Sequence, residues 1–451
     1  MNFKKLSNLL IVTIIICIFA TNLKSKVVVG YYPAWKSDTY TPSDIPMDKL
    51  THINYSFGYP KKDGSGEIIF PPYNTKLIDS AHSNNTKVIL ALGGWSDSEG
   101  FSPMADNPKA RKKFIKGITD SCLKYNYDGI DLDWEFPKSE KDKKNLDTLV
   151  KELHTHWDTL DVDLHLSMAI SSTNWRGQYI DLDYLEQYVE WFAIMTYDYG
   201  AWSNTCGYNS PLYTKSNPDG YVSVNYSIKK YYHDQRGVAY SKLLSGIPFY
   251  GKKFSGATQP FEEFSSAQTV SYQKIQTQFS DYEYNWDETA KVPYLSGDDN
   301  FITYNDTLAC KKHIQYVKQK GLKGVIIWEI TQDLMADGSQ PLLETVHEEI
   351  NEPVNIDLAK SPEPNKYKLF NNYPNPFNAS TKIDFRLKKA TKVQVNIYNI
   401  KGELVQSLID GYKPAGFHSL SWNASELPSG VYFYKIKTNN FSDVKKCILI
   451  K

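Results

Sequence analysis

The chain carries eight short, β-rich apolar runs: Val27–Tyr32, His52–Phe57, Lys87–Trp95, Asp128–Glu135, His165–Ser171, Trp191–Asp198, Leu243–Tyr250 and Gly324–Ile330. Longer stretches with helical periodicity separate them. In Asn107–Tyr125, for example, Phe114, Ile115 and Ile118 fall on one side, and Lys141–Trp157 reads the same way. Strand, helix, strand, repeated eight times, predicts an α/β fold: a (β/α)8 TIM barrel of parallel strands wrapped in helices. In such a barrel the reactive groups sit at the C-terminal ends of the strands. Acids end the fourth run, Tyr197 and Asp198 end the sixth, and Trp328 lies near the end of the eighth.

The fourth run is Asp128-Gly129-Ile130-Asp131-Leu132-Asp133-Trp134-Glu135. Read with a period of two, Asp131, Asp133 and Glu135 share one face of a strand, and Ile130, Leu132 and Trp134 share the other. Three ionised carboxyls on one face repel, so at least one holds its proton near neutral pH. A protonated carboxyl beside an ionised one is the raw material of acid/base catalysis. Two other readings stand beside it. One is a solvated acidic strand, which the alternation with Ile, Leu and Trp disfavours. The other is a Ca²⁺ or Mg²⁺ site, although the stretch lacks the glycine turn and ligand count of an EF-hand loop. Asp128 lies three residues before Asp131, off the shared face, which suits a structural role.

The remaining sequence bounds the setting. Basic and acidic residues balance, 51 against 51, which gives no reason to expect nucleic acid or an anionic surface as partner. The 33 Tyr and 10 Trp fit either ordinary core and strand content or a cleft in which flat rings stack on sugars. Lys4 and Lys5 followed by the apolar Leu9–Ala20 read as a secretory signal, too short to span a membrane as a helix. Cys122, Cys206, Cys310 and Cys447 are widely spaced, so they form neither a disulfide framework nor a zinc motif and are expected as core or half-buried residues.

The longest interval between runs, 251–323, holds Pro, Gly and many aromatics, including Phe261, Phe264, Tyr272, Tyr282, Tyr284, Trp286, Tyr294 and Tyr304. Its first part, about 253–305, reads as a small α+β insertion between strands 7 and 8 that walls one side of the barrel mouth, followed by a helix near Thr307–Lys320. Pro353, Pro362 and Pro364 mark a polar linker over 351–365. Beyond it, Lys382–Leu387, Lys392–Tyr398, His418–Trp422 and Val431–Thr438 alternate as strands punctuated by Gly402, Gly411, Gly416 and Gly430. The expected organisation is a signal over 1–25, a barrel over 26–350, the linker, and a C-terminal antiparallel β-sandwich over 366–451 with no catalytic constellation.

Several segments together carry a resemblance. Asp128–Glu135 looks like the DxxDxDxE signature of the chitinases of glycoside hydrolase family 18. Gly30-Tyr31-Tyr32-Pro33-Ala34-Trp35, Thr51–Phe57, Gly93-Gly94-Trp95, Met195-Thr196-Tyr197-Asp198, Gly246–Gly251 and Gly324–Trp328 resemble family segments in the family's order. The resemblance implies hydrolysis of β-1,4-linked N-acetylglucosamine polymers with retention of configuration, the substrate's own acetamide serving as nucleophile. It implies Glu135 as general acid, Asp133 as the residue that orients the acetamide, Asp131 as its buried partner, and Tyr197 as the hydroxyl that holds the acetamide oxygen. Tyr31, Phe57, Met195, Asp198, Tyr250 and Trp328 match residues around the reacting sugar, with Trp328 as its floor, and Trp95 and Trp202 fall where sugars further along the cleft would lie. No cofactor and no metal are implied. The expected partner is chitin or its oligosaccharides, bound by a monomer. Two positions depart from the family: Ala91 where Ser is frequent, and Lys252 where Arg is frequent, which keeps the charge but loses the planar fork. An endo-β-N-acetylglucosaminidase acting on glycans or peptidoglycan, and a lectin that binds without cutting, remain alternatives.

The tail resembles the C-terminal sorting domain of the type IX secretion system. The resemblance rests on Tyr373-Pro374-Asn375-Pro376-Phe377-Asn378, Ile397-Tyr398-Asn399, Gly402, Ser429-Gly430-Val431-Tyr432 and the ending Lys445–Lys451. It implies engagement of that machinery, export, and release or attachment at the cell surface.

Overall fold

The computed structural model describes residues 26–201, 204–214, 222–352, 367–372, 374–388, 391–413 and 416–451. Its centre is a closed barrel of eight strands, here β1 (Val27–Pro33), β2 (His52–Pro60), β3 (Lys87–Gly93), β4 (Gly129–Asp133), β5 (His165–Ile170), β6 (Phe192–Ile194), β7 (Leu243–Pro248) and β8 (Gly324–Trp328). Each strand pairs in parallel with the next. β8 closes on β1 with Val27 opposite Gly324 and Gly30 opposite Ile327. All eight strands coincide with the apolar runs of the sequence. They are apolar because both faces are covered: β1, β4, β5 and β7 are buried at every residue.

The outer layer is less regular than a strict eightfold repeat. Long helices follow β3 and β4, Pro108–Tyr125 and Glu140–Leu160, started by the side chains of Asn107 and Ser139 accepting from backbone N–H groups of the first turn. Asn126 and Asp161 end them in the left-handed conformation. Between β1 and β2, by contrast, there are three single 3₁₀ turns, Ala34–Lys36, Pro42–Asp44 and Met47–Lys49. Between β6 and β7 lies a π-helix, Tyr226–Gln235.

The insertion begins directly after β7, three residues earlier than expected. It is a five-stranded antiparallel sheet formed by Tyr250–Ser255, Ser266–Ser271, Glu283–Asp287, Val292–Gly297 and Asn300–Thr303, with one helix, Tyr272–Gln278. The expected α+β character is therefore present, and the helix Thr307–Lys320 follows at the predicted place. Among the insertion's aromatics, Phe254, Phe264, Tyr294 and Phe301 pack within it, while Tyr272 and Tyr304 join the large core of the barrel. Phe254 meets Phe264 edge-on at 4.9 Å, and Tyr294 lies 5.4 Å from Phe301.

The C-terminal unit consists of two antiparallel sheets. One contains Lys368–Leu369, Ser380–Leu387 and Gly416–Asn423; the other contains Leu404–Lys413, Thr391–Asn399, Gly430–Thr438 and Ser442–Leu449. Val393, Val395, Ile397, Tyr434, Ile436 and Trp422 form its separate core. The strands Leu404–Lys413 and Ser442–Leu449 were not expected. They are edge strands with broken alternation, the first carrying register shifts against its neighbour. The four cysteines are free and buried, as expected. Most of the linker 351–365 and the whole signal 1–25 lie outside the described residues.

Candidate active site

The barrel interior is filled in layers, and the chemistry changes from layer to layer. At the N-terminal end the rings of His52, His165 and Trp191 pack together, with His165 4.3 Å from Trp191 and 5.5 Å from His52. Above them Val29, Ala91, Ala193, Leu244 and Ile326 make an apolar plug. Ala91, one of the two departures noted above, fits here as a small fully buried side chain. The acids begin above the plug.

β4 alternates as its sequence requires. Ile130, Leu132 and Trp134 enter the large core between barrel and helices. Asp131 and Asp133 therefore point inward. Asp131 is fully buried and accepts hydrogen bonds from the Tyr31 hydroxyl at 2.6 Å and from the Ser167 hydroxyl. Burial raises its pKa, and the bonds from Ser167, Tyr31 and Asn54 work against that rise. Asp133, one register step higher, has a buried Oδ1 with no hydrogen-bond partner. Burial lifts its pKa well above the carboxylate range, and the negative charges of Glu135 and Asp131 add to the effect. Glu135 stands just past the end of the strand. Its backbone N–H donates to Ser98 Oγ at 2.8 Å, and Ser98 Oγ donates in turn to the carbonyl of Gly94 at 2.9 Å. Burial first, then the charge of Asp198, pushes the Glu135 carboxyl up to about 8. Burial raises all three carboxyls, and acidic neighbours add to the rise at Asp133 and Glu135.

Asp128 accepts from the backbone N–H of Val88 at 2.7 Å and pairs with His82 Nε2 at 2.8 Å, at the opposite end of β4 from Glu135. It ties the helix Thr75–Ser83 to β3 and takes no part in the cleft, as its offset suggested.

The mouth is an open cleft of about 1360 Å³. Trp328 lines it, stacked on Phe57 at 5.7 Å and 19°, with the Tyr31 ring edge-on at 5.4 Å. Tyr197 and Met195 come from the segment after β6 and also line the cleft. Asp198, in the left-handed conformation with φ 61°, is held from several sides. Asn209 Oδ1 accepts from its N–H at 3.1 Å, the Tyr250 hydroxyl donates to its Oδ1 at 2.8 Å, and Lys252 Nζ lies 3.0 Å from the same oxygen. Three peptide bonds beside the cleft are cis without proline: Ser56–Phe57, Glu135–Phe136 and Trp328–Glu329.

The structure gathers ten of the eleven expected residues around one cavity or directly beneath it. The eleventh, Tyr250, is buried behind Asp198 and does not line the cleft. Its hydroxyl donates to Asp198 Oδ1. Trp95 is 60% exposed at one end of the cleft. Trp202 lies outside the described residues. Five cleft aromatics were missed: Trp35, Phe136, Trp175, Tyr199 and Tyr226. Trp35 follows β1 and Trp175 follows β5, so the rule that barrel loops carry the site would have found both. Phe136 bridges Trp95 and Trp175, its ring 6.5 Å from the first and 6.2 Å from the second. Of the insertion, Lys252 lines the cleft among the described residues. Among the described residues no group of acids, His or Cys is placed to hold a metal ion.

Comparison with known proteins covers both parts of the chain. Residues 27–333 match the glycosyl hydrolases of family 18, and residues 371–451 match the secretion system C-terminal sorting domain. Chitinase A1 of Niallia circulans is 29% identical over 68% of this chain and 56% of its own length, so the chain spans little more than half of that relative. A class V chitinase of Lotus japonicus is 30% identical over 69% of this chain and 83% of its own length. Among solved structures, the group IV chitinase of Ostrinia furnacalis superposes with a TM-score of 0.67 at 27% identity, covering 72% of this chain and 100% of the other. The same enzyme in complex with allosamidin gives 0.66 at 28% identity, covering 72% of this chain and 98% of the other.

Proposed function

The chain belongs to family 18 of the glycosyl hydrolases, and from that premise we propose that it is an exported chitinase, cutting β-1,4 linkages between N-acetylglucosamine units with retention of configuration. The observation that carries this reading is the ladder Asp131–Asp133–Glu135 rising into a cleft lined by Trp328 and Tyr197. The reacting sugar stacks on Trp328. Asp133, unpartnered at Oδ1, takes the acetamide N–H, and the Tyr197 hydroxyl steadies the acetamide oxygen near the anomeric carbon.

Glu135 gives its proton to the glycosidic oxygen as the bond to the anomeric carbon breaks. The acetamide oxygen forms its bond to that carbon from the opposite face, giving a cyclic oxazolinium ion. The Glu135 carboxylate then takes a proton from a water, whose oxygen displaces the acetamide and restores the original configuration. The charge on the ring is offset by Asp133, and Asp131, fixed by Tyr31 and Ser167, is its buried partner. No second carboxylate nucleophile is needed.

The chain acts as a monomer, with residues 1–25 removed as a signal and the barrel ending near residue 350. The C-terminal unit hands the enzyme to type IX export machinery, and the product is released or held at the cell surface. Hydrolysis of N-acetylglucosamine hexamer, followed by anomer-resolved product analysis, tests the reading. Initial products of retained configuration are expected. Inverted products, binding with no cleavage, or cleavage confined to N-glycans or peptidoglycan would each overturn it.

A further inference from the structure

The proton donor stands where its strand no longer holds it. β4 pairs with β3 as far as Asp133 and ends there. Glu135 lies two residues beyond the ladder that fixes Asp131 and Asp133. Backbone past the end of a ladder keeps its place where some other group takes up its N–H.

That group comes from the loop after β3. Ser98 Oγ accepts the Glu135 N–H at 2.8 Å. It donates its own hydrogen to the Gly94 carbonyl at 2.9 Å, with the Asp133 carbonyl 3.3 Å away. The Gly94 N–H returns to that Asp133 carbonyl at 2.8 Å. One hydroxyl thus closes a ring of bonds between the end of β3 and the end of β4. Ser98 is 6% exposed and does not line the cleft, so its hydroxyl is spent on backbone rather than on sugar. The same loop grips the residue between. The Phe101 N–H donates to the Ser98 carbonyl at 3.1 Å, and the Phe101 ring stacks on Trp134 at 5.3 Å and 15°. Packing of Trp134 locates the chain as it leaves the strand. It leaves undetermined the turn of the Trp134–Glu135 peptide plane, and the Glu135 N–H is the handle that sets it.

We propose that Ser98 is a positioning residue for the proton transfer: by holding the Glu135 N–H it fixes the peptide plane from which the carboxyl reaches the glycosidic oxygen. A general acid has to come within hydrogen-bond reach of the atom it protonates. A misplacement of about 1 Å costs about 100-fold in rate, so Ser98 needs no contact with substrate to matter. The proposal rests on the chitinase reading of Glu135 as acid. A hydroxyl that merely keeps the loop folded would harm every substrate alike; one that aims the acid harms those that need its proton.

The experiment measures kcat/KM for the wild type, Ser98→Ala, Ser98→Cys and Ser98→Thr on two substrates. One is N-acetylglucosamine tetramer, whose leaving sugar has to be protonated. The other is the 2,4-dinitrophenyl glycoside of the N-acetylglucosamine dimer, whose phenolate leaves without a proton. Ser98→Ala should lower kcat/KM by about 10- to 100-fold on the tetramer and by less than about threefold on the dinitrophenyl glycoside. Ser98→Thr keeps the hydroxyl and should restore most of the loss, with Ser98→Cys, a weaker acceptor, in between. An equal fall on both substrates, or no fall on either, would overturn the proposal and leave Ser98 to the folding of its loop. A smaller pool of folded enzyme lowers both rates alike and cannot imitate the expected pattern. If Ser98→Ala does not fold, Ser98→Cys carries the comparison. Hydrogen exchange at the Glu135 amide reads the bond without turnover: slow in the wild type and Ser98→Thr, fast in Ser98→Ala. Fast exchange in the wild type would also overturn the proposal. A wild type that cuts neither substrate, yet shows this Ser98-dependent protection, would sink the chitinase reading and leave the tie standing.

Discussion

Glu135 holds its proton because it is buried and because Asp198 is charged, and both causes bear on the pH range of activity. Its carboxyl is pushed up to about 8, so the acid form persists through neutrality and is lost as the pH rises through that value. The expected profile keeps kcat/KM through neutral pH and falls on the alkaline side near 8, as read from initial rates on a soluble oligosaccharide. Glu135→Gln removes the transferable proton while keeping shape and hydrogen bonding. Turnover is expected to fall by about 10³-fold or more with oligosaccharide binding retained, which calorimetry and kinetics together can check. Full turnover in this variant would place the acid elsewhere. That Asp131 faces the same way as Asp133 was legible from period two alone. That the Tyr250 hydroxyl meets Asp198 was not, because nothing in the sequence says that residues 52 positions apart come together there.

At the scale of single elements, the tops of β3 and β4 meet more closely than side chains permit. Gly93 has φ 122°, and a Cβ there would stand 2.0 Å from the carbonyl oxygen of Asp133. Gly93→Ala is therefore expected to cost about 2–4 kcal/mol in urea unfolding and to displace Asp133, lowering kcat as well. A second element depends on an acid that the reaction does not use. Asp333 accepts from the N–H of Leu343 at 2.8 Å in the first turn of the helix Pro341–Asn351. Burial raises its carboxyl to about 7, well above the value of an unfolded chain. The folded state then keeps a proton that the unfolded state releases, so this contribution to stability is present below about pH 4 and drains away as the pH rises to 7. Asp333→Asn keeps the acceptor and cannot ionise. Its melting temperature should fall less between pH 4 and 7 than that of the wild type; parallel curves would show that Asp333 does not titrate there. The eight barrel strands could be read from their apolar runs. The C-terminal edge strands Leu404–Lys413 and Ser442–Leu449 could not, since their neighbours, not their own pattern, hold them in register.

At the scale of the whole molecule, the barrel core and the C-terminal core are built from separate sets of residues, the first ending at Ile350 and the second beginning at Leu369. A chain truncated at Pro362 should thus fold and cut oligosaccharides at the wild-type rate, yet fail to leave the cell. Secretion assays on the native host separate the two effects, and normal export of the truncated chain would refute the sorting role of the tail. What the sequence by itself determined is whatever depends on short-range pattern: eight buried strands, the alternation that sends Asp131 and Asp133 to one side and Ile130 and Leu132 to the other, and the punctuation of the tail. What only the tertiary structure decided is whatever depends on residues far apart in the chain meeting at the barrel mouth. Tyr31 and Ser167 reach Asp131 from two different strands, Trp35, Phe136 and Trp175 join one cleft, and the insertion presents Lys252 to Asp198. Those meetings are fixed by barrel closure and by the register of one strand against the next, and neither is written in the spacing of any single segment.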